Sequence, residues 1–205
     1  MTGWSIRLHL CCDELLWAAR LNLMWLVFTL LGGIVLGVGP ATVAAYTLAR
    51  RHAMGETVRA WPEFAAAYRR EFARGSLLVL PPAAAGLILA ADYVYFTATG
   101  TQGLRLVTYL ALVVLVVVAA YLLPMYVHYD LRPLACLPRA SLFALTRPAG
   151  SILLLFCLAA VTVAAVSFPV LLPTVAVGGW IQLNTWLCLR FFAENEARLL
   201  LKGNR

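Results

Sequence analysis

Charged residues are absent from four stretches of the chain, 21–49, 75–91, 106–127 and 148–189. A helix that crosses the hydrocarbon core of a bilayer needs roughly 20 apolar residues, so each stretch is the centre of a membrane-crossing segment. The last is long enough for two helices, and Phe168-Pro169 with Leu172-Pro173 breaks it near the middle, where proline removes a backbone donor and marks a turn. The pattern predicts five hydrophobic helices at about 18–39, 76–97, 104–128, 151–168 and 174–191. Pro81 and Pro82 are expected to kink the start of the second, and Asp92 interrupts it near its end. The longest connection, 50–75, is too short to build a core of its own, so residues 1–205 form a single membrane domain.

Composition agrees. Hydrophobic residues make up 63% of the 205 positions and charged residues 12%, against roughly 45–50% and about 25% in soluble domains. The fold class is therefore an all-α integral membrane protein. The net charge of +7 resides in the connections. Arg50, Arg51, Arg59, Arg69, Arg70 and Arg74 fall in 50–75, Arg132, Arg139 and Arg147 in 129–150, and Arg190, Arg198, Lys202 and Arg205 after the last segment. Positive loops are retained in the cytoplasm, so these basic segments and the C-terminus are expected there, while the uncharged turns near 98–103 and 169–173 face outward. The charge thus reads as orientation and attraction to anionic lipid, with no nucleic-acid partner.

The N-terminal region admits two arrangements. In the favoured one, 18–39 spans the membrane as a fifth helix and the N-terminus is outside. In the other, residues 21–33 enter, turn at the glycines and return from Pro40 as a re-entrant hairpin beside four spans, which requires protein around its non-helical backbone. Residues 1–20 lack the pattern of a cleaved signal. They read as an interfacial amphipathic helix with Trp4, Leu8, Cys11, Leu15 and Ala18 on one face.

Gly33, Gly37, Ala41, Ala45 and Ala49 recur every four residues and would line one face of a continuous helix. Between membrane helices, close approach through small residues is a main source of association, so this stripe is the predicted helix-packing surface. Asn22, Gln182 and Asn184 are predicted to hydrogen-bond between helices.

Chemistry-bearing patterns are sparse. Cys11, Cys12, Cys136, Cys157 and Cys188 show no CxxC or zinc-ligand spacing and read as packing residues. His9, His52 and His128 lie near segment edges, and no phosphate-binding, nucleophile-elbow or HExxH motif occurs. No catalytic residue, cofactor or metal is expected, and the protein is not expected to be an enzyme. Asp92, followed by Tyr93, Tyr95 and Phe96, is placed at an outer aromatic belt, where its carboxylate can reach water.

Two basic amphipathic stretches look alike: 61–78, with Phe64, Tyr68, Arg69, Arg70, Phe72 and Arg74, and 137–154. Each leads through a Gly-Ser pair, Gly75-Ser76 or Gly150-Ser151, into a predicted pair of spans. The offset of 75 implies an internal repeat of one surface helix plus one hairpin. The first stretch is a candidate surface for anionic lipid or for a partner protein.

Asn22, Trp25, Gly32, Gly37, Pro40-Ala41-Thr42, Ala45, Arg50-Arg51, Gly55-Glu56, Phe64 and Phe72, in this order and spacing, resemble the N-terminal half of the YesL-like family of bacterial membrane proteins. The resemblance implies a multi-pass protein of the bacterial cytoplasmic membrane. Because such proteins are commonly encoded beside carbohydrate ABC importers, it also implies an accessory role in sugar uptake, with importer permeases as partners. It supplies no catalytic residues. The chain lacks the cytoplasmic loop by which an ABC permease grips its ATPase. The expected function is a non-catalytic accessory or regulatory subunit of a carbohydrate importer; the alternative is a small independent channel or carrier, which would need a polar path through the bundle.

Overall fold

The computed structural model describes the backbone of residues 3–129 and 133–203, and the side chains of residues 9, 11–129 and 135–197. The regular elements are all helical: α1 (Gly3–Leu31), α2 (Val35–Ala53), α3 (Ala60–Arg70), α4 (Phe72–Ala98), α5 (Gln102–Tyr129), α6 (Pro133–Thr146), α7 (Pro148–Ser167), a π-helical turn (Leu172–Ala176) and α8 (Val177–Gly203). Four of the described helical stretches are long and apolar enough to cross a membrane: Cys11–Leu31 within α1, α4, α5 and α7. The protein is an all-α, multi-pass membrane protein.

The predicted first span is not one helix. It is split at residues 32–34, where Gly33 takes φ +71° and Ile34 takes φ +63°. A left-handed residue cannot continue a right-handed helix, so the chain reverses and α2 folds back along α1. Trp25 Nε1 donates to Thr42 Oγ1 at 3.0 Å, and farther from the turn the Trp17 and His52 rings stack at 4.4 Å. The single predicted span over 18–39 is therefore replaced by a hairpin of two helices, of which Cys11–Leu31 in α1 is long and apolar enough to cross a membrane. Nor is there a separate surface helix over 1–20, because α1 runs unbroken from Gly3, with Trp17, Ala18 and Leu21 buried and Cys11 and Leu15 exposed. Trp4 and Leu8 lie outside the described side chains.

α2 is the hub. Ten of its 19 residues are buried, and it packs against α1, α3, α4, α5 and α8. Against α4, the Leu36 carbonyl near the start of α2 accepts from Ser76 Oγ at 3.2 Å, and near its end Arg50 shares a cavity with Arg70, Glu71 and Arg74. The tip of the α1–α2 hairpin consequently sits beside the beginning of α4, far from the 99–101 turn at its other end.

Two apolar cores result. One joins α1, α2 and α3 around Leu21, Met24, Ala45, Leu48 and Phe64; the other joins α5, α6, α7 and α8 around Tyr121, Cys136, Leu154 and Phe192. Leu123, Val127 and Trp180 pack against both.

The element order runs twice through the same sequence of one short helix followed by two long ones. α3 leads into the hairpin α4–α5 as α6 leads into α7 and α8. In each unit the serine of the Gly-Ser pair bonds back to the carbonyl four residues earlier, Ser76 to Phe72 at 2.7 Å and Ser151 to Arg147 at 3.2 Å. Pro81 and Pro82 lie inside α4, which starts four residues earlier than predicted and stays helical through both. The expected irregular start is instead a break at Glu71, between α3 and α4.

Candidate functional site

The small-residue stripe is occupied by the chain's own helices. Ala41, Ala45 and Ala49 are fully buried in the core formed with α1 and α3. A Cβ on Gly37 would lie 2.3 Å from the Thr29 carbonyl oxygen of α1, so Gly37 is where the hairpin closes most tightly. Gly33 departs from the prediction: it belongs to the turn, is exposed, and has nothing within 4 Å of where a Cβ would stand. From Gly37 onward the stripe is buried against other helices of the same chain.

α3 also differs from the surface predicted for it. Glu63 Oε1 accepts from the Arg59 backbone N–H at 3.0 Å, which satisfies a donor at the start of the helix. From there Phe64, Ala67 and Tyr68 turn inward, and the Phe28 ring lies 4.9 Å from Phe64 and 5.1 Å from Tyr68. Phe64 and Tyr68 are thus core residues, and burial raises the Tyr68 phenol above its ordinary pKa. Only Arg69, Arg70, Phe72 and Arg74 of the predicted surface remain exposed. The apolar spacing identified an amphipathic helix, but the face it covers is the α1–α2 hairpin.

The break at Glu71 produces a feature that no local motif announces. Where the end of α2, the α3–α4 junction and the end of α5 converge, they line a half-open cavity of about 500 Å³, bordered by Arg50, Thr47, Arg70, Glu71, Arg74, Tyr126 and His128, with Val43 and Val127. Glu71 is buried, accepting from Tyr126 Oη at 2.7 Å and from Arg70 Nε at 3.0 Å. Arg50 Nε and His128 Nδ1 are buried with no hydrogen-bond partner among the described residues. The site is a polar chamber with three guanidiniums and one carboxylate, and that carboxylate is already engaged.

Three further polar side chains join helices, through backbone and side-chain partners. Asn22 Nδ2 donates to the carbonyls of Leu172 (3.3 Å) and Pro173 (2.7 Å), and its Oδ1 accepts from Val177 N and Gly178 N, both at 3.0 Å. Asn184 Nδ2 donates to Tyr46 Oη at 2.8 Å and to the Ala120 carbonyl at 3.0 Å, and Gln182 donates to Glu14. All three are interhelical, as expected from their position in apolar segments. Asp92 stands near the C-terminal end of α4, with the Tyr93 and Tyr109 rings 6.3 Å apart beside it. The five cysteines are free, and the described residues contain no group of three or more His, Cys, Asp or Glu able to hold a metal. Asp130, Arg132, Arg198, Lys202 and Arg205 lie outside the described side chains.

Residues 18–93 match the family described as "Protein of unknown function, DUF624". The chain is 36% identical over 146 residues to the Bacillus subtilis (strain 168) protein YesV, covering 69% of this chain and 70% of that one. The chain belongs to the YesL-like, or DUF624, family. Two further members from the same organism are YesL, 29% identical over 145 residues (70% of this chain, 69% of YesL), and YteU, 33% identical over 122 residues (58% and 55%). All three carry the description "uncharacterized". No solved structure matches the chain. The DUF624 match runs from α1 into α4 and so contains the hairpin, α3 and the arginines of the cavity; Tyr126 and His128, which complete the chamber, come from beyond it.

Proposed function

We propose that this YesL-like protein is a non-catalytic accessory or regulatory subunit that associates in the bacterial cytoplasmic membrane with the permeases of a carbohydrate ABC importer, its basic segments and C-terminus on the cytoplasmic side. The observation that carries the non-transporting part of this reading is the use made of Asn22, Asn184 and Gln182. Each is engaged with another helix or with backbone of the chain itself, which supports a packing role over a water-lined path. Support for the importer comes from the family likeness, whose members are commonly encoded beside such importers. The basic character of the α3–α4 and α6–α7 segments supports the orientation.

Co-purification from the native membrane in mild detergent is the test. Recovery of a permease or ATPase subunit in fixed ratio is the expected result. Preparations that never contain either overturn the association, and solute flux through proteoliposomes holding this protein alone replaces it with an independent carrier.

A further inference from the structure

We propose that the chamber between α2, α4 and α5 is a binding site for a phosphate group, carried either by an anionic lipid headgroup or by a phosphate dissolved in water. The proposal goes beyond an accessory role and does not depend on which importer, if any, the protein serves.

Charge is the first argument. The chamber is lined by Arg50, Arg70 and Arg74, and the one carboxylate in its wall, Glu71, is already bonded on both oxygens. Arg70 is the guanidinium that Glu71 compensates; among the described residues Arg50 and Arg74 have no carboxylate ion-pair partner. Like charges gathered around one space repel each other, and an anion inside it relieves that repulsion for all of them.

Hydrogen-bonding geometry is the second argument. The guanidinium forks of Arg50 and Arg74 match the oxygen geometry of phosphate, and among the described residues neither is spent on a carboxylate. Size is the third. A chamber of about 500 Å³ falls within the range of roughly 300–1,000 Å³ typical of small-molecule sites, leaving room for the glycerol of a headgroup behind the phosphate.

The experiment is a thermal-unfolding titration of the full-length protein in neutral detergent at constant ionic strength. Two probes are used, inorganic phosphate and phosphatidylglycerol in mixed micelles, with chloride and phosphatidylcholine as the respective controls. A ligand that binds only the folded state raises the midpoint as its concentration passes the dissociation constant. A concentration-dependent rise with phosphatidylglycerol alone identifies a lipid headgroup site, and a rise with inorganic phosphate identifies a site for dissolved phosphate. Arg50→Gln and Arg74→Gln are each expected to weaken the response roughly tenfold or more. Arg69→Gln, on the exposed side of α3 and outside the chamber, leaves it unchanged. Should Arg50→Gln not fold, the comparison of Arg74→Gln with Arg69→Gln decides. The proposal is overturned if neither probe outperforms its control, or if Arg69→Gln loses as much response as Arg74→Gln.

Discussion

Gly39 of α2 and Gly75 of α4 meet backbone to backbone. A Cβ placed on Gly39 would stand 2.8 Å from the Gly75 carbonyl oxygen and 2.7 Å from the Ser76 Cα, closer than real Cβ atoms approach such groups. Because the obstacles are main-chain atoms, no side-chain rotation relieves the clash. Gly39→Ala is expected to destabilise the folded protein by about 1–3 kcal/mol, the usual cost of overpacking. A midpoint in detergent equal to that of the wild type would show that α2 and α4 are not in this contact.

The stripe itself gives a graded test. Gly37→Leu and Ala41→Leu place bulk where the hairpin closes and in a fully buried position, whereas Val35→Leu changes a residue that is 63% exposed. The first two should reduce the yield of folded protein and its unfolding temperature, and the third should change neither. Equal behaviour of all three variants would make the small residues incidental.

Asn22 binds four backbone groups on the far side of the sequence. Asn22→Leu removes all four bonds while keeping the same branched heavy-atom skeleton, and leaves the Val177 and Gly178 N–H groups without that acceptor. The expected loss is about 1–3 kcal/mol. Faster proteolysis or hydrogen exchange in 172–178 than elsewhere in the variant is the specific signature.

Ile34 is the one non-glycine residue with positive φ among those described, and the Val35 N–H donates to the Gly33 carbonyl across it at 2.8 Å. This three-residue turn is sterically strained for a β-branched side chain, and Ile34 is 60% exposed, so it gains little burial in exchange. Ile34→Gly is expected to stabilise the protein by roughly 1 kcal/mol. A lower unfolding temperature in that variant would refute the turn geometry.

The cysteines separate by environment. Cys11 and Cys12 are exposed, whereas Cys136 is buried and its thiol is pushed up to about 11. A thiol with a raised pKa holds less thiolate at neutral pH, so burial and protonation both oppose alkylation of Cys136. Mass spectrometry after brief maleimide treatment at pH 7 should find label on Cys11 and Cys12 and none on Cys136 until the protein is denatured. Label on Cys136 in the folded protein would show that α6 is not packed against α5.

The helices richest in apolar residues were the most legible in the sequence. α5 and α7 lie within three residues of their predicted limits because uninterrupted hydrophobicity and charged or proline-marked ends encode both position and length. The first span was misread for a physical reason: small residues at every fourth position line a helix face whether the helix begins at Leu21 or at Val35, so Gly33 could belong to the stripe or to the turn. The role of Asn22 could be anticipated, but its acceptors could not, since they lie about 150 residues away. The chamber was invisible for the same reason. Arg50, Glu71 and His128 sit at the edges of three separate segments, and only the packing of α2, α4 and α5 brings them together.

The bonds from Asn22 to the π-helical turn also set an order of events during synthesis. Asn22 is made about 150 residues before the groups that satisfy it, which belong to 172–178. Until that stretch is synthesised, its amide lacks all four of the partners that hold it in the folded protein.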